Sequence, residues 1–252
     1  MPELPEVEAV TRRVRRLAQG ARIGAAGFYR RTVTAPQDPG AVRLGVEGRV
    51  IETVGRRGKN VLAGLSGGVW LRVHLRMTGN LTVIHDARLR PVTARAWFEL
   101  DGGRALILDD PRALGRVTLH DQAELEKVLK GLGPEPFSPG FTPAVLVESA
   151  QDCRRPAKLW LMDQRTVAGL GNIYAAEALF QAGIHPTRQA RRISRARLEA
   201  LHGAIVDTLR LAVDSAISAY EKPGGFTEGE IFPVAVYGRE GLDCLRCGDS
   251  VR

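Results

Sequence analysis

The sequence predicts an α+β protein of two domains, an antiparallel sheet domain led by a helix and then a helical domain. Three observations carry this. Apolar residues recur at period two between about 47 and 120; they recur at helical spacing beyond 142 and at the amino terminus; and a Pro/Gly-rich stretch from Gly133 to Gly140 separates the two regimes. A chain of 252 residues can hold one large or two modest cores, and the change of period favours two.

Pro5 stands where a first helical turn tolerates proline. Val7, Val10, Val14 and Leu17 then follow at helical spacing, with Arg12, Arg13, Arg15 and Arg16 mostly on the other faces. Further on, Val69, Leu71, Val73, Leu75 and Met77 alternate with Trp70, Arg72, His74 and Arg76. Turn signals at Ser66-Gly67-Gly68 and Asp101-Gly102-Gly103 divide further strands. A short helix over about 122–131 leads into Gly133-Pro134-Glu135-Pro136-Phe137-Ser138-Pro139-Gly140, the expected domain boundary. Beyond it the pattern predicts helices at 142–150, 156–163 and 173–182, and a long amphipathic one marked by Leu198, Leu201, Ile205, Leu209 and Ala212. The tail from Pro223 is glycine-rich, carries short strand-like pieces and ends in a Cys-x-x-Cys. No internal repeat or low-complexity tract is visible. The expected division is 1–132, 133–222 and 223–252.

Lys and Arg number 36 against 28 Asp and Glu, a formal net charge of +8, so the chain should attract polyanions, whether nucleic acid or an anionic membrane surface. No apolar run approaches the roughly 20 residues of a membrane span. The acidic start Met1-Pro2-Glu3-Leu4-Pro5-Glu6 lacks the layout of a signal peptide, and a cytosolic protein is expected. A membrane-surface role is disfavoured because the basic residues are dispersed and face no strongly hydrophobic helix stripe. The cysteines are Cys153, alone, and the pair Cys244 and Cys247; an odd count argues against a disulfide framework and for reduced thiols or a metal site.

Proline directly after the initiator permits removal of Met1, leaving a secondary amine with a reference pKa of about 8. Such an amine can attack an electrophilic sugar or carbonyl carbon and form a cationic iminium. Glu3 lies next to it and Glu6 one turn along, so carboxylates are at hand to move protons. The plainer reading is a helix start, with proline in the first turn and glutamates favoured by the dipole.

The start Met1-Pro2-Glu3-Leu4-Pro5-Glu6-Val7-Glu8 resembles that of bacterial formamidopyrimidine-DNA glycosylases, and the resemblance runs on along the chain. Arg56-Arg57-Gly58-Lys59-Asn60, His74-Leu75-Arg76-Met77-Thr78-Gly79 and Asp110-Pro111-Arg112-Ala113-Leu114-Gly115 are similar to further motifs of that family. So are Leu161-Met162-Asp163-Gln164 with Gly169-Leu170-Gly171-Asn172-Ile173-Tyr174-Ala175, Ala182-Gly183-Ile184-His185-Pro186, and Val236-Tyr237-Gly238-Arg239-Glu240-Gly241 before Cys244 and Cys247.

The resemblance implies an amino-terminal β-sandwich with a leading helix, and a carboxyl-terminal helical domain with a helix-two-turns-helix element and a zinc-finger hairpin, here truncated. It implies a bifunctional glycosylase and abasic-site lyase that excises oxidised purines (8-oxoguanine, formamidopyrimidines) from duplex DNA. Pro2 would attack C1′, Glu3 would transfer protons, Glu6 and Lys59 would assist, and no cofactor would serve the chemistry. Lys59 read alone is a solvated turn lysine. Met77, Arg112 and Leu114 would fill the hole left by a flipped nucleotide, a hole that otherwise costs a few kcal/mol. Met77 read alone is ordinary core. His74, Arg154, Lys158 and Asn172 would contact DNA, Asn172 serving equally as a helix cap. Gly224-Gly225-Phe226-Thr227 matches a mobile loop over the oxidised base.

Departures from the family pattern are Leu114 in place of the common phenylalanine, Ala113 in place of a basic residue, and Thr93 in place of a DNA-contacting histidine. Cys244 and Cys247 are half of a tetrahedral structural zinc site, one zinc per chain if a second cysteine pair exists. That pair is expected in a continuation of the chain past Arg252. A monomer in the bacterial cytosol or nucleoid, acting on double-stranded DNA, is the implied setting. Two alternatives stand: an endonuclease VIII-like glycosylase of oxidised pyrimidines, against which Leu4 speaks, and a catalytically silent DNA-binding module, which would not need Pro2, Glu3 and Lys59 together.

Overall fold

The computed structural model describes residues 2–220 and 232–252. The chain divides into two compact units: Pro2 with residues 6–130, and Glu3–Pro5 with residues 131–252.

The first unit contains two four-stranded antiparallel sheets. One runs in the order β1 (Ile23–Phe28), β6 (Ala94–Leu100), β7 (Ala105–Asp109), β5 (Asn80–Ile84). The other runs β2 (Ile51–Arg57), β3 (Asn60–Leu65), β4 (Val69–His74), β8 (Arg116–Asp121). The interior strand β3 is buried along its whole length and β7 along nearly all of it, as apolar central strands require. In β6 the alternation is strict, with Ala94, Ala96, Phe98 and Leu100 buried between half-buried neighbours. The sheets are stitched at one corner, where the Ile23 N–H donates to Arg49 O at 2.8 Å and the Ile51 N–H to Ala21 O at 2.9 Å. Helix α1 (Leu4–Ala18) buries Val7, Val10 and Val14, as its spacing predicts. Two of the arginines expected on its outer faces instead reach back. Arg13 donates to Asn80 Oδ1 at 2.8 Å on the edge strand β5, and Arg15 to Val54 O at 2.7 Å on the edge strand β2.

Sequence periodicity missed β1 and α2 (Pro39–Val46). The first reads Ile-Gly-Ala-Ala-Gly-Phe, too poor in large apolar groups to register as a strand. The second did carry a start signal, since Asp38 caps it by accepting the N–H groups of Gly40 and Ala41, with Pro39 at its first position. The unit closes with α3 (Gln122–Leu129), held by a reciprocal cap between Asp121 and Glu124.

The second unit is helical: α4 (Pro143–Ala150), α5 (Ala157–Leu161), α6 (Asn172–Gln181) and α7 (Arg195–Tyr220). The apolar face of α7 is buried at Leu198, Leu201, Ile205, Leu209 and Ala212, as its spacing predicts, and continues to Tyr220. Trp160, Leu170 and Tyr174 join it in one core, and Leu4 belongs to the same cluster. Burying a side chain of this size contributes about 1.5–3 kcal/mol. The stretch expected to be a boundary linker is tied down at its start. The Gly133 N–H donates to Gln164 O at 2.8 Å, the Ala168 N–H to Pro134 O at 3.0 Å, and a Cβ on Gly133 would meet Arg165 O at 2.2 Å. The strand-like reading of the tail is corrected: residues 232–252 form turns around a single antiparallel bridge, Asp243 to Ser250, because Gly238, Gly241 and Gly248 at positive φ bend the backbone too often for a strand to extend. The rest of the tail, from Pro223 to Ile231, lies outside the described residues, the motif Gly224–Thr227 included.

Gly169 packs tightly against Leu4. Its φ is +90°, and a Cβ there would lie 2.7 Å from the Leu4 Cβ. Gly169→Ala is therefore expected to destabilise the protein by about 1–3 kcal/mol. Urea unfolding should show a lower midpoint with an unchanged slope; an unshifted midpoint would show that neither the backbone strain nor the Leu4 contact is real.

Candidate active site

The chain's first residues are held as firmly as its core. Pro2 and Glu3 are buried, Glu3 to 1% exposure. The Leu4 N–H donates to Gly169 O at 3.0 Å, and Glu3 Oε1 accepts the Ile173 N–H at 3.0 Å. The first turn of α6 exposes N–H groups, and its cap residue Gly171 has no side chain to satisfy them, so a carboxylate 170 residues away in sequence supplies the cap. This corrects the reading of Asn172 as the cap: Asn172 is already the first helical residue, and its Nδ2 lies 3.5 Å from the Tyr237 hydroxyl. Gln164 shapes the receiving loop, accepting the Gly169 N–H at 2.9 Å and donating to Leu170 O at 2.7 Å.

Lys59 follows Gly58 in the tight turn between β2 and β3, and Asn60 begins β3. Lys59 is 8% exposed, which corrects its reading as a solvated turn lysine: the turn is fastened by buried polar groups and carries the lysine inward. Asn60 donates to Arg57 O at 3.0 Å and accepts from Arg72 at 2.8 Å, while Arg56 bonds Gly58 O at 2.8 Å and Glu8 of α1 at 3.0 Å. Burial pushes the Glu8 carboxyl up, but hydrogen bonds from Arg12 and Arg56 outweigh it and hold the group below its usual range. Glu6 is buried on the same helix, at 6% exposure.

His74 ends β4. Burial, then the charges of Arg76, Arg72 and Lys59, push its pKa down to about 3. Its Nδ1 accepts the Arg76 N–H at 3.1 Å, so the neutral ring carries its proton on Nε2, where it can serve as a donor.

Met77, Arg112 and Leu114 belong to two turns that one buried carboxylate joins. Asp110 Oδ2 accepts the N–H groups of Leu114 and Gly115, both at 2.7 Å, and Oδ1 accepts the Thr78 hydroxyl. The Thr78 oxygen in turn accepts the Arg112 N–H at 3.3 Å. Arg76 and Ala113, one in each turn, sit at φ of 58° and 55°, a left-handed conformation costing about 1–2 kcal/mol per residue. Met77, Arg112 and Leu114 are exposed, with Met77 at 37%, so the reading of Met77 as core is corrected: β4 ends at His74, before Met77 could continue its inward row. Thr93 takes part through its backbone, accepting the Asp110 N–H at 2.9 Å.

In the second unit Arg154 is exposed and Lys158 half-buried at the start of α5. Glu177, which sequence reasoning did not single out, is 2% exposed and accepts the N–H groups of Ala235, Val236 and Tyr237 at 2.8, 3.0 and 2.8 Å, fastening the tail to α6. Its signal was only a glutamate interrupting an apolar helix face. Cys244 and Cys247 lie on a tight knuckle in which Cys244 Sγ accepts the Arg246 N–H at 3.4 Å. That contact, with a second from the Cys247 N–H, pulls the Cys244 thiol below its usual range and favours a thiolate. A Cys-x-x-Cys pair is half of the four ligands a structural zinc takes, and among the described residues no group of three or more His, Cys, Asp or Glu comes together that could hold a metal.

Two family models match the chain, the formamidopyrimidine-DNA glycosylase N-terminal domain over residues 1–117 and the formamidopyrimidine-DNA glycosylase H2TH domain over residues 132–222. A formamidopyrimidine-DNA glycosylase of Moorella thermoacetica is 39% identical over 256 residues, covering 100% of this chain and 93% of the relative. Among solved structures, a Lactococcus lactis Fpg in complex with DNA containing Fapy-dG superposes with a TM-score of 0.89 at 28% identity, over 98% of this chain and 92% of that one. A MutM in complex with DNA containing carbocyclic 8-oxo-G also gives 0.89 at 28% identity, over 99% and 92%.

Two outcomes check this description. Asp110→Ala should cost about 1.5–3 kcal/mol and should speed amide exchange selectively at Leu114 and Gly115, and slow exchange there would refute the clamp. The unfolded chain binds the His74 proton near pH 6.5 and the folded chain near 3, so stability from the neutral ring is complete above 6.5 and is lost as pH falls from there. NMR should show no His74 midpoint between pH 5 and 8.

Proposed function

The chain belongs to the formamidopyrimidine-DNA glycosylase family, and from that premise we propose that it excises oxidised purines, 8-oxoguanine and formamidopyrimidines, from duplex DNA in base-excision repair with Pro2 as nucleophile. It is a DNA-formamidopyrimidine glycosylase with abasic-site lyase activity. The observation that carries the residue assignment is the fastening of the chain's start. A terminal amine is useful as a nucleophile only if its position is fixed, and the Glu3 and Leu4 bonds to the Gly169–Ile173 segment fix it.

With Met1 removed, the Pro2 nitrogen attacks C1′ of a flipped nucleotide. The bond from C1′ to the base breaks with its electron pair, and the base leaves with the proton that the alkylated amine gives up. Opening of the sugar ring gives an iminium, for which Glu3 supplies the proton to the ring oxygen. The iminium acidifies the C2′ hydrogen; its removal expels the 3′ phosphate, a second elimination expels the 5′ phosphate, and water releases the amine. Lys59, beside the terminus in this reading, and Glu6 assist proton movement. Met77, Arg112 and Leu114 occupy the vacated space, the arginine meeting the orphaned partner base. His74, neutral, donates its Nε2 proton to DNA, and Asn172, Arg154 and Lys158 engage the phosphate backbone. Leu114 wedges without the stacking a phenylalanine would add.

The Cys244–Cys247 knuckle would supply two thiolates to a structural zinc, with a second cysteine pair completing the set. The zinc would hold the tail's shape. The enzyme works as a monomer in the bacterial cytosol or on the nucleoid.

Borohydride trapping on duplex DNA carrying 8-oxoguanine tests the assignment. Protein lacking Met1 should form a covalent adduct, and Pro2→Gly should bind the duplex but lose most of the adduct. Binding without any adduct would leave only a silent DNA-binding module, and adduct retained by Pro2→Gly would move the nucleophile to a lysine such as Lys59.

A further inference from the structure

The second unit contains a short antiparallel ribbon that no sequence pattern announced. Residues 153–158 run beside 186–191: the Ala157 N–H donates to Arg188 O at 2.7 Å, Ala190 to Arg155 O at 3.0 Å, Lys158 to Pro186 O at 3.1 Å and Arg191 to Cys153 O at 3.0 Å, around an isolated bridge between Pro156 and Gln189. Ala157 and Ala190 turn inward and are fully buried. Arg154 precedes the bridge by two residues on one strand, and Arg191 follows it by two on the other, where its N–H donates to Cys153 O beside Arg154.

The ribbon and the short helical turn that ends it, Ala190–Arg192, concentrate cations. Arg154, Arg188, Arg191 and Arg192 are all exposed, and none of the four forms an ion pair among the described residues. The nearby carboxylate Asp163 is already claimed by Arg155 at 2.8 Å and Arg165 at 2.9 Å, and Glu199 by Arg195 at 3.0 Å. Like charges placed across a ribbon repel. A rigid backbone presenting several unneutralised guanidinium groups is what a chain of phosphates would complement.

We infer that Arg188, Arg191 and Arg192 extend the DNA-binding surface beyond Arg154 and Lys158, contacting phosphates of the duplex flanking the lesion. The inference rests on the glycosylase reading for the identity of the polyanion. Arginine is suited to this role because its planar fork meets phosphate oxygens in pairs. These contacts position the duplex and carry no base sequence.

The test is fluorescence anisotropy on a duplex carrying a stable abasic-site analogue, over a series of salt concentrations. Relative to wild type, Arg191→Gln/Arg192→Gln should weaken binding and lower the slope of log K against log salt by about 1–2. Arg210→Gln, an exposed cation on α7 outside the ribbon, should leave slope and excision rate unchanged. An unaltered slope in the double variant, or an equal fall in Arg210→Gln, overturns the surface, the second outcome by reducing it to net charge. Tighter, salt-sensitive retention of RNA than of duplex DNA by the same arginines also overturns it. A failure of the glycosylase reading is seen separately, as wild-type protein that binds the duplex without forming a borohydride adduct.

Discussion

The cap that Glu3 places on α6 is the interaction on which the proposed chemistry depends. Helix starts leave N–H groups without partners, and this one begins at a glycine that cannot help itself. A remote carboxylate fills the need, and in doing so it pins the residue beside Pro2. Ordering a chain terminus costs about 1–2 kcal/mol per residue in backbone entropy. A helix cap returns about 0.5–2 kcal/mol, and burial of Leu4 about 1.5–3. Both offset the cost of an ordered start, which Gly169 receives through its carbonyl and Gln164 supports by holding the Gly169 N–H.

Asp110 does for the exposed loops what Glu3 does for the terminus. Exposed loops carrying apolar tips usually fray, yet Met77, Arg112 and Leu114 sit on turns that share one buried acceptor group. Two residues held in left-handed conformations indicate that these turns are shaped at some cost. Ala113 enters the left-handed region with the least side-chain bulk of any residue other than glycine.

Local signals in the sequence were legible where one chemistry dominates a window. The apolar rows of α1 and α7 and the alternation in β6 needed only side-chain size. What stayed hidden was long-range. Strand β1 could not be inferred, because its glycines and alanines look like a loop until β6 pairs with them. Lys59 reads as solvated until the polar fastening around Asn60 draws the turn inward. Asn172 looks like a cap because asparagine usually is one, and only the arrival of Glu3 displaces it. The residue types of the candidate site could be picked out from order and motif, whereas the groups that hold them, Gln164, Asp110 and Glu177, show no pattern of their own.

The docking of the chain's start also imposes an order on biosynthesis. Glu3 leaves the ribosome well before the helix that receives it, 170 residues later. At roughly 5–20 residues per second, that interval is about 10–30 s. The removal of Met1 that the proposed chemistry calls for would fall within that interval, because once Ile173 has emerged and Glu3 has docked, the neighbouring Pro2 is buried. Under the proposed chemistry, removal of the initiator would thus be a step with a deadline set by the synthesis of α6.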